Sequence, residues 1–170
     1  MEKSIGKRIS DFILVLLLLL VVTAIICVIV FKITTYHIVG NSMNPTLEQN
    51  ELVLSMTPKE YHRGDIISFE TEEGTTIKRI IGLPGEKVFI DKYGTVFIND
   101  NELKEEYIKS KVRGDIETPN PYTVGTDEYY VLGDNRGDSK DSRFLKVGCI
   151  KKEKIKGHII VSISKFKFIK

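Results

Sequence analysis

The sequence has few of the residues that build metal sites or disulfide frameworks. Its 170 residues include only two cysteines and three histidines. Cys27 lies within an apolar run and Cys149 lies near the other end of the chain, which excludes a disulfide-stapled fold. The histidines are scattered and do not form a metal site with these cysteines: His37, His62 and His158. We therefore predict no metal and no cofactor.

An excess of charge of one sign is also lacking. Lys and Arg number 25 against 23 Asp and Glu, a formal net charge of +2. This near balance gives no reason to expect nucleic acid as a partner.

Charge is absent altogether from residues 12–31, twenty consecutive residues rich in Leu, Ile and Val without Gly or Pro. A helix rises about 1.5 Å per residue, so this run spans roughly 30 Å, the hydrocarbon thickness of a bilayer. A soluble protein of one domain is therefore excluded as the simplest interpretation. The run predicts a single transmembrane helix.

This apolar run is longer than the apolar part of a cleaved signal peptide, about 7–15 residues, and no small-x-small cleavage site follows it. We therefore expect an uncleaved anchor.

Basic residues predict the orientation of this anchor. Three precede the run and one follows it directly: Lys3, Lys7, Arg8 and then Lys32. Because positive charge is retained on the cytoplasmic side, we predict that residues 1–11 lie in the cytoplasm. Residues 32–170 then form an extracytoplasmic domain, long enough to bury one core. The predicted location is the cell membrane, which the chain crosses once.

The pattern beyond the anchor is that of short β-strands. Alternating or β-branched runs, separated by Gly, Pro and Asn turns, recur at residues 34–39, 51–55, 65–70, 75–81, 87–90, 95–99, 128–132 and 157–164. No stretch beyond the anchor has the apolar spacing of a helix. The predicted fold class is therefore mainly β, with a barrel- or sandwich-like domain after the transmembrane helix. Residues 99–127 are the least apolar stretch and are predicted to form a small cap hairpin or insertion.

Chemistry is first suggested by residues 40–46, G-N-S-M-N-P-T. A predicted strand runs into Gly40, then Ser42, then an Asn-Pro turn. Glycine tolerates sharp backbone angles and Pro45 directs the chain away from a helix, so the Ser42 hydroxyl is left at a strand end beside unpaired N–H groups. Taken alone, a serine in a turn is the more common explanation.

A second feature is a lysine within the apolar strand 75–81. Neighbours in a strand face opposite ways, so Lys78 and Arg79 cannot share a side. If Lys78 is buried, loss of water lowers its pKa, and a neutral lysine is a general base. The alternative is an edge-strand lysine kept in contact with water to prevent aggregation.

The third feature is the polar loop 133–143, G-D-N-R-G-D-S-K-D-S-R. Its acidic residues do not fit the twelve-residue calcium-loop pattern. Asp141 and Arg143 are spaced to pair and stiffen the loop. No histidine stands beside a nucleophile elbow of the form G-x-S-x-G, so Ser42 with Lys78 is the better candidate for nucleophile and base.

Together these segments resemble the bacterial type I signal peptidases. The blocks are an anchor, then G-N-S-M-N-P-T, then R-G-D-I-I-S-F at 63–69, then K-R-I-I-G-L-P-G-E at 78–86, then the loop 133–143. The similarity covers the anchor and most of residues 36–150. The single anchor and compact cap are more similar to Gram-positive members than to larger two-span ones.

The resemblance implies a Ser/Lys dyad. Ser42 would attack the scissile carbonyl, Lys78 would take its proton, and an acyl-enzyme would form. The backbone N–H of Ser42 would be one oxyanion donor. Some members place a serine hydroxyl two residues before the nucleophile as the second donor. This chain has Gly40 there, so a backbone N–H is the alternative.

The resemblance also implies supporting residues. Ser139 matches the family serine that hydrogen-bonds the lysine and orients it. Asp141 and Arg143 match an ion pair that holds the shape of the site. Arg79 matches a family position with a structural role, and Asp134 belongs to the family block that begins the loop 133–143.

The implied substrate is a preprotein signal peptide with small residues at −1 and −3, often Ala-x-Ala, bound in an extended conformation. The lipid bilayer is the other expected partner, with protein-export machinery nearby. The tail 165–170, K-F-K-F-I-K, is expected either to touch lipid headgroups or to form a terminal edge strand. Two other functions stay open: a self-cleaving Ser/Lys protease of the repressor type, and a tethered binding module without activity.

Overall fold

The structure is a computed structural model that describes residues 2–30 and 32–169. The chain divides into two compact units, one ending at Ile33 and one beginning at Thr34. The first unit contains helix α1, Glu2–Val30. Its stretch Ser10–Val30 is long and apolar enough to cross a membrane. Apolar side chains are exposed all around the helix from Phe12 to Val30, as a lipid-facing helix requires. The predicted helix is thus confirmed through Val30, and Phe31 lies outside the described residues.

The second unit is built from short strands. They are β1 Thr34–His37, β2 Leu52–Met56, β3 Ile66–Thr71, β4 Gly74–Gly82, β5 Lys87–Ile90, β6 Val96–Ile98, β7 Asn101–Glu102, β8 Tyr122–Thr123, β9 Glu128–Leu132, β10 Ile150–Lys151, β11 Ile155–Ser162 and β12 Lys167–Phe168. A 3-10 turn, Lys152–Lys154, precedes β11. All eight predicted strands are confirmed. Three further strands that the pattern did not predict, β7, β8 and β10, have two residues each, too short for alternation to be visible.

The strands form two antiparallel sheets. The larger has the order β1-β2-β11-β3-β4-β9-β10, with β12 paired to β11. The smaller has the order β7-β6-β5-β8. In the larger sheet, β3 and β4 pair with Ile67 opposite Lys78. The predicted mainly β fold class is therefore confirmed.

Three apolar clusters explain why β3 and β4 are apolar at consecutive positions. Ile67 of β3 and Ile80 of β4 pack in the same cluster. Their chain neighbours Ile66 and Ile81 pack in two other clusters. Because successive side chains point to opposite faces, both faces of these strands are covered. The cluster around Ile81 packs the smaller sheet against β4 and β9.

The predicted cap, residues 99–127, supplies the two outer strands of the smaller sheet, β7 and β8. The inner strands β5 and β6 precede it in the chain. Leu103, Tyr107 and Ile116 from this stretch pack against the apolar cluster of that sheet. The stretch is polar in composition, yet tertiary packing holds it on the domain.

The tail contains the terminal edge strand that was one of its two predicted alternatives. β12 pairs with β11 through Val161 opposite Phe168. Phe166 and Phe168 are exposed, whereas Ile169 is buried in the core. Lys170 lies outside the described residues.

Gly82, the last residue of β4, lies at the junction where the smaller sheet packs against the larger one. The register of β4 against β9 shifts between Ile80 and Gly82. A Cβ atom at Gly82 would lie 2.5 Å from Val88 Cγ2 and 3.0 Å from Tyr130 Cβ. Only glycine therefore allows β5 to pack this closely on β4 and β9.

We expect Gly82→Ala to lower the free energy of unfolding by about 1–3 kcal/mol, because the added methyl group overpacks the junction. Urea denaturation of the detergent-solubilised chain measures it. Gly137→Ala is the matched control, since its Cβ would meet only Val112, at 4.0 Å. Equal stability of the two variants would contradict this account of the junction.

Candidate active site

Ser42 lies in the turn that follows β1. Gly40 has a φ of 81°, in the left-handed region that favours glycine, and it turns the chain at the end of the strand. Met43 and Leu47 are buried in the core on the far side of the turn. These two side chains hold the turn in place, while Ser42 itself is only half-buried. The predicted nucleophile is thus presented at the surface from a firmly packed loop.

Lys78 lies in the middle of β4 and is 4% exposed. Its Nζ donates to Ser42 Oγ at 2.8 Å and to the carbonyl oxygen of Ile77 at 3.0 Å. Loss of water on burial lowers the pKa of Lys78 to about 8, against the opposing attraction of Asp141 and Asp134. The structure therefore brings the two predicted reacting groups into contact.

Arg79 faces the opposite side of β4, as strand alternation requires. Its guanidinium donates to both carboxylate oxygens of Asp134, at 2.9 and 2.7 Å, and to the carbonyl oxygen of Gly64 at 2.7 Å. Both charged side chains are nearly inaccessible to water. The Thr46 hydroxyl also donates to Asp134. This buried pair joins β4, the turn after Ser42 and the start of the loop 133–143.

Asp141 organises the loop 133–143. Its carboxylate accepts from Arg143 at 2.8 and 2.9 Å, from the Gly133 N–H at 3.0 Å and from the Ser139 hydroxyl at 2.7 Å. Arg143 in turn donates to the carbonyl oxygen of Arg136 at 2.9 Å. The carboxylate and the guanidinium are buried and each satisfied by several partners, which is what makes a buried ion pair tolerable.

The loop 133–143 also contacts the Ser42 turn directly. The Asn135 N–H donates to the carbonyl oxygen of Ser42 at 2.9 Å, and Asn135 Nδ2 donates to that of Asn41 at 3.2 Å. A Cβ atom at Gly133 would lie 2.6 Å from the same Ser42 oxygen. The position of Ser42 therefore depends on this loop as well as on its own turn.

The direct hydrogen bond expected from Ser139 to the lysine is not formed. The Ser139 hydroxyl donates to Asp141, and among the described residues the hydrogen bonds of the Lys78 amine go to Ser42 and Ile77. Ser139 thus touches the site through Asp141.

Three residues of the site were not predicted. Glu105 and Arg136 form a buried ion pair, and Tyr107 donates its hydroxyl to Glu105 at 2.7 Å. The Tyr107 ring lies 4.1 Å from the guanidinium carbon of Arg79. Two of the three come from the polar stretch 99–127, where composition predicts a solvated surface. Only the tertiary structure brings them to the Arg79–Asp134 pair.

A groove passes Ser42 between β1 and β4. It has a volume of about 210 Å³ and is lined in part by Tyr36, Val39, Ser42, Thr76, Ile77 and Lys78. The residues that the structure describes contain no group of three or more His, Cys, Asp or Glu able to hold a metal ion. The chemistry available beside the groove is that of a hydroxyl with an adjacent amine.

Known proteins of similar sequence belong to one family. The family described as "Signal peptidase, peptidase S26" matches residues 9–164. Signal peptidase I P of Bacillus subtilis subsp. natto is 38% identical over 75% of this chain and 74% of its own. Signal peptidase I of Bacillus licheniformis is 34% identical over 92% of this chain and 90% of its own.

A crystal structure of a signal peptidase I from Enterococcus faecalis V583 has 34% sequence identity and a TM-score of 0.48, and it covers 60% of this chain and 98% of that chain. The family match extends over most of the sequence, from within the apolar helix to beyond β11. The chain therefore belongs to the signal peptidase I family, peptidase S26, whose members are serine endopeptidases that remove signal peptides.

Proposed function

We propose that this chain is a membrane-anchored signal peptidase that uses Ser42 as nucleophile and Lys78 as general base. The observation that carries the proposal is the 2.8 Å distance between Ser42 Oγ and the buried Lys78 Nζ. A base within hydrogen-bond reach of the hydroxyl, with a pKa lowered toward neutrality, meets both requirements of nucleophile activation.

Acylation follows from this geometry. The neutral amine of Lys78 takes the proton from Ser42 Oγ as the oxygen attacks the carbonyl carbon of the scissile peptide. The oxyanion accepts from the Ser42 N–H, to which no acceptor is assigned among the described residues. Lys78 then gives its proton to the leaving amine, and the peptide C–N bond breaks. The signal peptide is left as an ester on Ser42.

Deacylation reverses the roles. Lys78, neutral again, takes a proton from a water molecule whose oxygen attacks the ester carbonyl. The second tetrahedral intermediate collapses, the ester bond breaks and Ser42 regains its proton from Lys78. The released products are the signal peptide and the mature protein, and no cofactor is needed.

The remaining predicted residues act as positioning residues in this proposal. Gly40 shapes the Ser42 turn, and the Arg79–Asp134 pair joins that turn to β4. Asp141, held by Arg143 and Ser139, fixes the loop that contacts the Ser42 carbonyl.

The groove supports a substrate with small residues before the cleavage site. β1 is at the end of the larger sheet, so its free edge is available to an extended peptide. The groove has a volume of only about 210 Å³, which favours small side chains such as Ala at −1 and −3. Its lining combines apolar side chains, Val39 and Ile77 among them, with polar ones such as Thr76.

The proposed topology places residues 1–11 in the cytoplasm, 12–31 in the membrane and 32–170 outside, at the cell membrane. The basic residues before the span support it. Ser42 follows Lys32 by only ten residues, so the nucleophile is tethered near the outer membrane surface, where a signal peptide's cleavage site emerges beside the export machinery. The exposed Phe166 and Phe168 of the tail are suited to lipid headgroups.

Ser42→Ala and Lys78→Ala, made separately, should each lower the rate of preprotein cleavage by roughly 10³-fold or more, because the two side chains act as one unit. Cleavage of a purified preprotein in detergent micelles measures the rate. Lys92→Ala, an exposed turn lysine, is the control and should retain activity. Activity retained in either dyad variant would remove the mechanism.

The pH dependence should follow the ionisation of Lys78. Its pKa is lowered to about 8 by burial, so the neutral base is lost as the pH falls through this value. At pH 7 only about a tenth of the amine is neutral. We expect kcat to fall about tenfold per pH unit below pH 7, and a rate that is flat between pH 6 and 9 would contradict the role of Lys78.

Gly133→Ala should lower kcat by roughly 10- to 100-fold, because a methyl group there would clash with Ser139 Oγ, would lie 2.6 Å from the Ser42 carbonyl oxygen and would displace the Ser42 turn. Steady-state cleavage kinetics provide the measurement. Gly137→Ala, in the same loop with an open Cβ position, should leave kcat unchanged. If both variants behaved alike, the contact between Gly133 and the Ser42 turn would have no catalytic consequence.

A further inference from the structure

A second cavity lies beside the Ser42 turn. It has a volume of about 280 Å³, and its wall includes Asn41 and Asn44, which flank Ser42 in the chain. Asn135, whose N–H donates to the Ser42 carbonyl, also lines it. The cavity shares no lining residue with the groove between β1 and β4. Ser42 lines the groove, and its neighbour Asn41 lines this second cavity.

The charge of this cavity is not neutralised. Lys109 lines it and donates from Nζ to Asn44 Oδ1 at 3.0 Å. In the part of the chain that the structure describes, no carboxylate lies within ion-pair distance of Lys109. The other two charged lining residues are paired, Asp134 with Arg79 and Arg136 with Glu105. One positive charge is left facing the cavity.

The wall that carries Lys109 is rigidly built. We call residues 105–109 the strap. Glu105 is buried against Arg136, and the Tyr107 ring covers the Arg79 guanidinium. Each of these contacts is made to a residue that is itself nearly inaccessible to water. The strap therefore places Lys109 beside the Ser42 turn before any ligand arrives.

We propose that this cavity receives the first residues of the mature chain, those after the scissile bond, and that Lys109 favours an acidic side chain among them. This inference rests on the proposed function. An extended substrate that occupies the groove with its signal-peptide residues must continue past Ser42 on the other side. There the polar amides of Asn41, Asn44 and Asn135 and the Lys109 ammonium offer hydrogen bonds and positive charge. The groove has the apolar side chains of Val39 and Ile77 in its lining, which the second cavity lacks.

The test compares preproteins that differ by a single residue. Glu, Gln or Lys is placed in turn at each of the first three positions after the scissile bond, and kcat/KM is measured with the full chain in detergent micelles. At one or more of these positions Glu should be cleaved roughly three- to fivefold better than Lys, the effect that an exposed ion pair supports. The preference should shrink as salt is added.

Lys109→Glu should reverse the order of Glu and Lys substrates, and Lys109→Gln should bring their ratio close to one. Lys104→Glu makes the same charge change at an exposed residue that does not line the cavity, and it should leave the ratio unchanged. The ratio is taken within each variant, so a general loss of activity does not move it.

A Glu-to-Lys ratio that is the same in the unaltered chain, Lys109→Glu and Lys104→Glu would overturn the proposal. That outcome leaves the dyad intact, since the substrates are still cleaved. Cleavage that persists in Ser42→Ala would instead overturn the proposed function. The two failures are thus distinguishable.

Discussion

A lysine amine held out of water within 2.8 Å of a serine hydroxyl is the constraint on which the rest of this domain depends. Burial of a lysine costs free energy unless the amine gives up its proton, and that loss is what makes it a base. The Lys78 amine must therefore be shielded from water and yet lie next to a serine that is half-exposed. Strand β4 satisfies both conditions, because its two faces are covered by different parts of the fold while its Lys78 side chain ends at the groove.

Two buried ion pairs maintain this arrangement, and their carboxylates are paired with arginines rather than with the lysine. Arg79 balances Asp134 and Arg143 balances Asp141, so each carboxylate near Lys78 already has a cationic partner. An unpaired carboxylate at either place would raise the pKa of Lys78 and weaken the base. The same pairs join β4, the Ser42 turn and the loop 133–143. They therefore hold the site together and also limit the effect of the two carboxylates on the pKa of Lys78.

Alternation of apolar residues predicted the eight longer strands, and the uncharged run predicted the helix. The order of the motifs predicted that Ser42 and Lys78 lie together. Neither residue indicates a catalytic site by itself, because serines in turns and lysines in strands are common. Glu105 and Tyr107 could not be predicted, because their burial arises only when the polar stretch 99–127 folds onto Arg136 and Arg79. A hydrogen bond between Ser139 and the lysine was expected by resemblance, but the Ser139 hydroxyl donates to Asp141 and the Lys78 amine donates to Ser42 and Ile77.

The most direct test of the account is the titration of the Lys78 amine itself. Heteronuclear NMR of the chain with isotope-labelled lysine, assigned by comparison with Lys78→Ala, follows the Lys78 resonance as the pH changes. The account predicts a midpoint near 8, set by burial beside Ser42. A midpoint near 10.5, the ordinary value for lysine, would leave roughly one amine in three thousand neutral at pH 7 and would contradict its role as the base.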